Sequence, residues 1–141
     1  FHFWSYKNLP YYRNFGQFAL QQKDKAEYFR DFDGRANFIY QVANYLKIHT
    51  SPKEKIFIWG NAPFIYSLAE RLPVGRYTVA YHIIDFQGHQ ETISQLKKEK
   101  PAYLVVDLEE KRPFPDFFLL IDQEYALEKQ INDFLIYHRL F

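Results

Sequence analysis

Short apolar segments alternate with amphipathic segments of helix length along most of the chain, and this alternation restricts the folds that it can adopt. Residues 55–59 and 102–107 are short, apolar and rich in β-branched and aromatic side chains, as buried strands are. Strands separated by helices are typical of βαβ units, whose strands run parallel. The predicted elements are helices over 35–49, 63–72 and 90–100, strands over 55–59, 76–81 and 102–107, and a closing hairpin formed by 124–129 and 134–139.

We therefore predict one α/β domain over residues 21–141, with a three-layer, Rossmann-like architecture. Its sheet is expected to be mainly parallel, with a C-terminal antiparallel hairpin at one edge. A chain of 141 residues, 48% of them apolar, can bury a core without disulfide or metal staples, and it contains no cysteine. The predicted core residues are Leu46, Phe57, Trp59, Leu68, Leu104 and Val106.

Residues 1–20 differ in composition from the rest of the chain. Eight of the first eighteen side chains are aromatic, and Lys7 and Arg13 lie among them. Aromatic rings with neighbouring cations are enriched where a chain leaves a membrane, because the rings lie at headgroup level. Rings that simply pack onto the domain would give the same composition. Composition alone leaves both interpretations of residues 1–20 open.

Charge and run length exclude several classes of function. Eighteen Lys and Arg residues against seventeen Asp and Glu give a net charge of +1, so no nucleic-acid partner is predicted. The longest apolar runs have five residues, at 102–106 and 117–121, whereas a membrane-spanning helix needs about 20. No transmembrane segment is therefore expected within this sequence.

No metal site, cofactor or catalytic residue is predicted. Four possible metal ligands lie within ten residues, but their spacing matches no zinc motif, and a polar loop explains them equally well; they are His82, Asp85, His89 and Glu91. The sequence also contains no Gly-x-Ser-x-Gly elbow, dinucleotide fingerprint or Walker loop.

The turn after the first predicted strand is a candidate ligand site. Gly60, Asn61 and Ala62 precede a predicted helix, whose free N–H groups and positive end could bind an anionic group. A tight turn with Asn61 as the helix N-cap would give the same residues.

Arg71 and Arg76 form a second candidate site. They flank a short turn between a predicted helix and strand, and two guanidinium groups can bind a phosphate or carboxylate. Neutralisation of a helix C-terminus by Arg71 is the alternative. Because the helix carries the chain back across the sheet, both arginines are expected at the end opposite Gly60.

Several short motifs together resemble the C-terminal soluble domain of bacterial membrane glycosyltransferases, similar to the dolichyl-phosphate-mannose protein mannosyltransferases and the aminoarabinose transferase of lipid A. The motifs are Trp59-Gly60, Pro63, Ile65-Tyr66, Arg71-Leu72-Pro73 and Arg76-Tyr77, within a resemblance covering roughly residues 11–139. The resemblance implies an extracytoplasmic accessory domain, itself non-catalytic, of an enzyme that takes sugar from a polyprenyl-phosphate carrier.

The resemblance also implies partners and a location. The partners would be the transmembrane portion of the same enzyme and a lipid-linked sugar donor or acceptor. The domain would lie at the cell membrane, on the periplasmic or extracellular side, and residues 1–20 would form an aromatic, membrane-proximal arm. The alternative hypothesis is a free-standing, Rossmann-like module that binds a nucleotide or another anion beside Gly60 and Asn61.

Overall fold

A computed structural model describes residues 8–141, and its contacts divide the chain into two compact units, Phe1–Ile39 and Tyr40–Phe141. Over the described residues there are seven helices and four strands. The helices are α1 (Asn8–Ala19), α2 (Lys25–Phe32), α3 (Ala36–His49), α4 (Phe64–Ala69), α5 (Ala80–Asp85), α6 (His89–Glu99) and α7 (Pro115–Glu124). The strands are β1 (Ile56–Trp59), β2 (Tyr103–Asp107), β3 (Tyr125–Ile131) and β4 (Phe134–Arg139).

In the first unit, α1 packs against α2. Asp24 caps α2, because its side chain accepts from the Glu27 N–H while the Glu27 carboxylate accepts from the Asp24 N–H. Asn14, buried in α1, donates to the Tyr28 carbonyl oxygen at 2.9 Å, and the rings of Phe18 and Tyr28 stack at 4.6 Å. These contacts fix which side of α1 faces α2.

The second unit is built on a four-stranded sheet with the order β1-β2-β4-β3. β1 and β2 are parallel, whereas β4 runs antiparallel to both β2 and β3. The hairpin turns at Asn132 and Asp133, and Asn132 has the positive φ of 49° that such two-residue turns require. The predicted C-terminal hairpin at a sheet edge is therefore confirmed.

The prediction of a Rossmann-like, mainly parallel sheet is wrong, because only one of the three strand pairings is parallel. The predicted strand over 76–81 does not form. Near it, Pro73 makes one isolated parallel bridge to Ile56, the chain turns at Gly75, and α5 begins at Ala80. β4 occupies the place beside β2 that a further parallel strand would have taken.

The main core lies on one face of this sheet. Phe57 and Trp59 of β1 pack with Leu104 and Val106 of β2 beneath side chains of α5, α6 and α7. Of the six predicted core residues, Leu68 alone is only half-buried, because the short α4 buries Ile65, Tyr66 and Ala69 instead. The Ile58 N–H donates to the Tyr66 hydroxyl at 3.0 Å, so α4 is held against the edge of β1 that does not pair with β2.

Candidate functional site

Over residues 8–39, the described part of the first unit, the most exposed apolar surface is one side of α1. Leu9, Tyr12, Phe15 and Ala19 recur at spacings of three and four, which places them along one side of a helix, and we call this set the α1 stripe. Leu9, Tyr12 and Phe15 are 83%, 74% and 57% exposed. The side of α1 that faces α2 carries the buried Asn14 instead.

The α1 helix itself carries a single charged side chain. Within residues 8–22 the only charged side chain is Arg13, and the first carboxylate of the whole sequence is Asp24. Lys23 is already paired, since its Nζ lies 2.7 Å from Asp31 and 3.0 Å from the Asn14 amide oxygen. Among residues 8–141, no helix combines the length and apolar character needed to span a bilayer. An aromatic, mildly cationic surface therefore lies on a helix of only twelve residues.

The turn after β1 lies in an acidic neighbourhood. A Cβ on Gly60 would lie 2.4 Å from the Cβ of Asp107, so glycine leaves room for this buried carboxylate at the end of β2. The Asn61 side chain donates to Glu110 at 2.9 Å, and Arg112 binds the same carboxylate through Nε at 2.7 Å. Arg112 holds the pKa of Glu110 below its ordinary value.

Anion binding by Gly60, Asn61 and Ala62 remains a prediction. The carboxylates of Asp107 and Glu110 beside the turn disfavour it electrostatically. The helix that follows, α4, has only six residues, and its N-cap is Pro63 without a side-chain hydrogen bond.

Arg71 is a buried link between two helix C-termini. Its Nε donates to the Thr50 hydroxyl at 2.7 Å, and Nη2 donates to the carbonyl oxygens of Lys47 and Thr50 at 3.0 and 2.5 Å. Nη1 donates to Ala69 and Glu70, both at 3.1 Å. The guanidinium therefore satisfies carbonyl oxygens that the ends of α3 and α4 leave without partners.

Arg76 has a different environment from Arg71. Its side chain is 69% exposed, and its Nη2 lies 2.9 Å from Glu91 and 2.8 Å from the Tyr77 hydroxyl. It lines a pocket of about 460 Å³ together with Tyr77, His82 and Phe86, which we call the Arg76 pocket. Sequence reasoning did not identify Tyr77 or Phe86 as members of this site; the nearest signal is Gly88, which allows a close approach of the Tyr77 ring.

The possible metal ligands within residues 82–91 do not converge on one point. His82 lines the Arg76 pocket, Glu91 pairs with Arg76, and the His89 ring packs edge-on against Phe114 at 4.9 Å. Within the described part of the chain, no group of three His, Cys, Asp or Glu side chains is placed to hold a metal ion.

A β-bulge in the hairpin gathers further titratable side chains. Where the register shifts between Leu127 and Lys129, Glu128 accepts hydrogen bonds from the hydroxyls of Tyr45 and Tyr103. Burial and the neighbouring Glu128 raise the pKa of Tyr103 to about 12. Neutral tyrosines thus tie the edge strand β3 to α3 and β2, which is a structural role.

The second unit is a mixed α/β domain whose sheet combines one parallel strand pair with an antiparallel hairpin. Residues 39–139 match the family model Ccs4_C, described as "Putative competence-induced protein Ccs4 C-terminal domain". Because the match spans well over half of the chain, the protein belongs to this family. No curated protein and no solved structure matched in the same comparisons.

The predicted membership of the glycosyltransferase family is therefore wrong. The descriptions of the chain as a glycosyltransferase domain and of its fold as Rossmann-like are wrong as well. The residues that carried the resemblance have packing roles here. Trp59 is fully buried, Gly60 makes room for Asp107, and Arg71 joins two helix ends. Such motifs reflect the demands of local packing, which unrelated α/β domains share.

Proposed function

We propose that this chain docks on the surface of an anionic membrane through the α1 stripe. The observation that supports it is the exposure of Leu9, Tyr12 and Phe15 on a helix side without a carboxylate. Helices that lie in a membrane interface combine apolar and aromatic side chains on one side with flanking cations.

The expected energy is sufficient for reversible binding. Burying a large apolar side chain fully is worth about 1.5 to 3 kcal/mol, and a cation near an anionic surface adds about 1 kcal/mol. Three partly inserted side chains and Arg13 together give roughly 4 to 6 kcal/mol before the costs of ordering. The attachment is therefore expected to be weak, dependent on anionic lipid and sensitive to salt.

A lipid surface accounts for the composition better than a protein surface does. Tyrosine and arginine beside exposed leucine and phenylalanine are typical of headgroup level. Residues 8–23 also contain no carboxylate, which an anionic headgroup surface would repel. The accessory role in a polyprenyl-phosphate-dependent glycosyltransferase, with its lipid-linked sugar partners and its periplasmic or extracellular location, remains an untested prediction on which this proposal does not depend.

The experiment is co-sedimentation of the full chain with vesicles of phosphatidylcholine, with and without phosphatidylserine. Binding to the anionic vesicles alone, weakened by salt, is expected. The double variant L9Q/F15Q should lose at least about tenfold in partitioning, since two buried apolar groups are removed. The control L119Q changes a side chain on α7 that is 55% exposed, comparable to Phe15, and should bind as the parent does.

Two results would overturn the proposal. One is the absence of sedimentation with anionic vesicles at low salt. The other is equal sedimentation of the parent chain and L9Q/F15Q while both remain folded by circular dichroism. Sedimentation that needs a second protein and is lost in L9Q/F15Q would show that the α1 stripe binds a protein instead.

A further inference from the structure

The Arg76 pocket has the dimensions of a small-molecule site. Its volume of about 460 Å³ lies within the range of roughly 300 to 1,000 Å³ that ligand pockets occupy. Two of its four lining side chains are aromatic carbocycles, one is an imidazole and one is a guanidinium. Such sites combine mainly aromatic walls with a few polar groups that orient the ligand.

The two aromatic side chains are arranged to hold a planar ring. The rings of Tyr77 and Phe86 are only 17° from parallel, with centroids 6.5 Å apart. A ring stacked between two others needs about 7 Å between their planes, twice the carbon–carbon contact distance of about 3.5 Å. A ligand ring would therefore enter when Phe86, which is 66% exposed and is the C-cap of α5, moves away from Tyr77.

Tyr77 forms the rigid side of the Arg76 pocket. It is buried, and its hydroxyl accepts from Arg76 and lies 3.5 Å from Glu91. Its ring lies so close to Gly88 that a Cβ there would be 2.4 Å from Cε2. One side of the Arg76 pocket is therefore formed before a ligand binds, and binding has to order only Phe86.

Arg76 supplies the donors for an anionic group, which would have to share the guanidinium with Glu91. Arg76 lies over the Tyr77 ring at 4.9 Å, held there by Glu91. Guanidinium has five N–H donors. Among the described residues only Nη2 of Arg76 is seen to donate, so Nε and Nη1 can bind a phosphate. Glu91 can accept from a ligand hydroxyl, as a sugar would offer.

We infer that the Arg76 pocket binds a nucleotide, with the base between Tyr77 and Phe86 and the phosphate on Arg76. A single nucleotide fits better than a polymer, because the net charge of +1 provides no extended basic surface. This inference concerns the second unit alone and does not depend on membrane docking.

The test is titration of the full chain with adenosine monophosphate, followed by backbone amide NMR shifts. Shifts around residues 76–91 are expected. Phe86→Ala should weaken binding by about fivefold or more through lost stacking. Arg76→Gln should weaken adenosine monophosphate by a similar factor but leave adenosine unchanged, since only the phosphate contact is lost. Phe118→Ala, which changes a part-exposed ring on α7, is the control and should bind normally.

Several outcomes would overturn the inference. They are the absence of shifts at about 10 mM nucleotide, inorganic phosphate binding as tightly as the nucleotide, and equal weakening by Phe118→Ala and Phe86→Ala. Tighter binding of an oligonucleotide than of the monomer, with shifts spread beyond the pocket, would point to a nucleic-acid surface instead.

Discussion

Replacement of Arg71 by alanine tests whether this arginine has a structural role. Arg71 is 6% exposed and makes five hydrogen bonds within the second unit, four of them to carbonyl oxygens. Alanine removes every donor at once. The carbonyl oxygens at the ends of α3 and α4 then lose their partners, and the volume of the side chain is left empty.

The expected loss of stability follows from these contacts. A hydrogen bond to a charged group contributes about 1.5 to 3 kcal/mol, but five bonds from one group do not add, and water can reach some of the exposed helix ends. Breaking a buried charged network typically costs about 3 to 5 kcal/mol, and we expect Arg71→Ala to lie in this range. Arg71→Lys should recover little, because one ammonium group cannot reach acceptors on both helices.

The measurement is equilibrium unfolding in urea, with Arg76→Ala as the matched control. Arg76 is exposed and its pair with Glu91 lies at the surface, so its loss should cost less than about 1 kcal/mol. A loss below about 1 kcal/mol for Arg71→Ala, or full recovery in Arg71→Lys, would refute the structural role and return Arg71 to the candidate ligand residues.

Three further predictions concern stability. Because Arg112 lowers the pKa of Glu110 in the folded state, this pair stabilises the fold above the ordinary carboxyl pKa of about 4.3 and ceases to do so as pH falls through the lowered value. The deficit of Glu110→Gln in urea unfolding should therefore be larger at neutral pH than in strong acid; an equal deficit would contradict this. Gly60→Ala should cost about 1 to 3 kcal/mol by forcing Asp107 aside, whereas Gly34→Ala, which meets nothing within 4 Å, should stay within about 0.5 kcal/mol. Asn132→Gly should leave thermal unfolding nearly unchanged and Asn132→Val should cost about 1 to 2 kcal/mol, because φ at this turn is 49°; equal effects would contradict the turn geometry.

The elements that the sequence predicts well are those with an undisturbed local period. α3 and α6 lie within one residue of their predicted bounds, and β1 and β2 form where the apolar runs are. α7 was missed because its inward residues, Phe117, Leu120 and Ile121, are interrupted by the exposed apolar Phe118 and Leu119, which hide the helical period.

The segment after α4 shows why local pattern is not sufficient. Tyr77 and Val79 are buried and have strand-forming side chains, but they are buried by packing and not by pairing in the sheet. The roles of the two arginines depend on the same segment. α4 ends at Ala69, with Glu70 at a positive φ of 55°, and this turn directs Arg71 inward, a tertiary outcome that sequence spacing cannot specify.

The most direct test of membrane docking uses single spin labels, since the chain contains no cysteine and one can be introduced at will. Labels would replace Phe15 in the α1 stripe and, as a control, Leu127, which is 55% exposed on β3. With anionic vesicles, we predict that the label at position 15 becomes accessible to oxygen and protected from a water-soluble nickel reagent, while the label at position 127 stays in water. Unchanged accessibility at position 15, or the same change at both positions, would contradict docking through the α1 stripe.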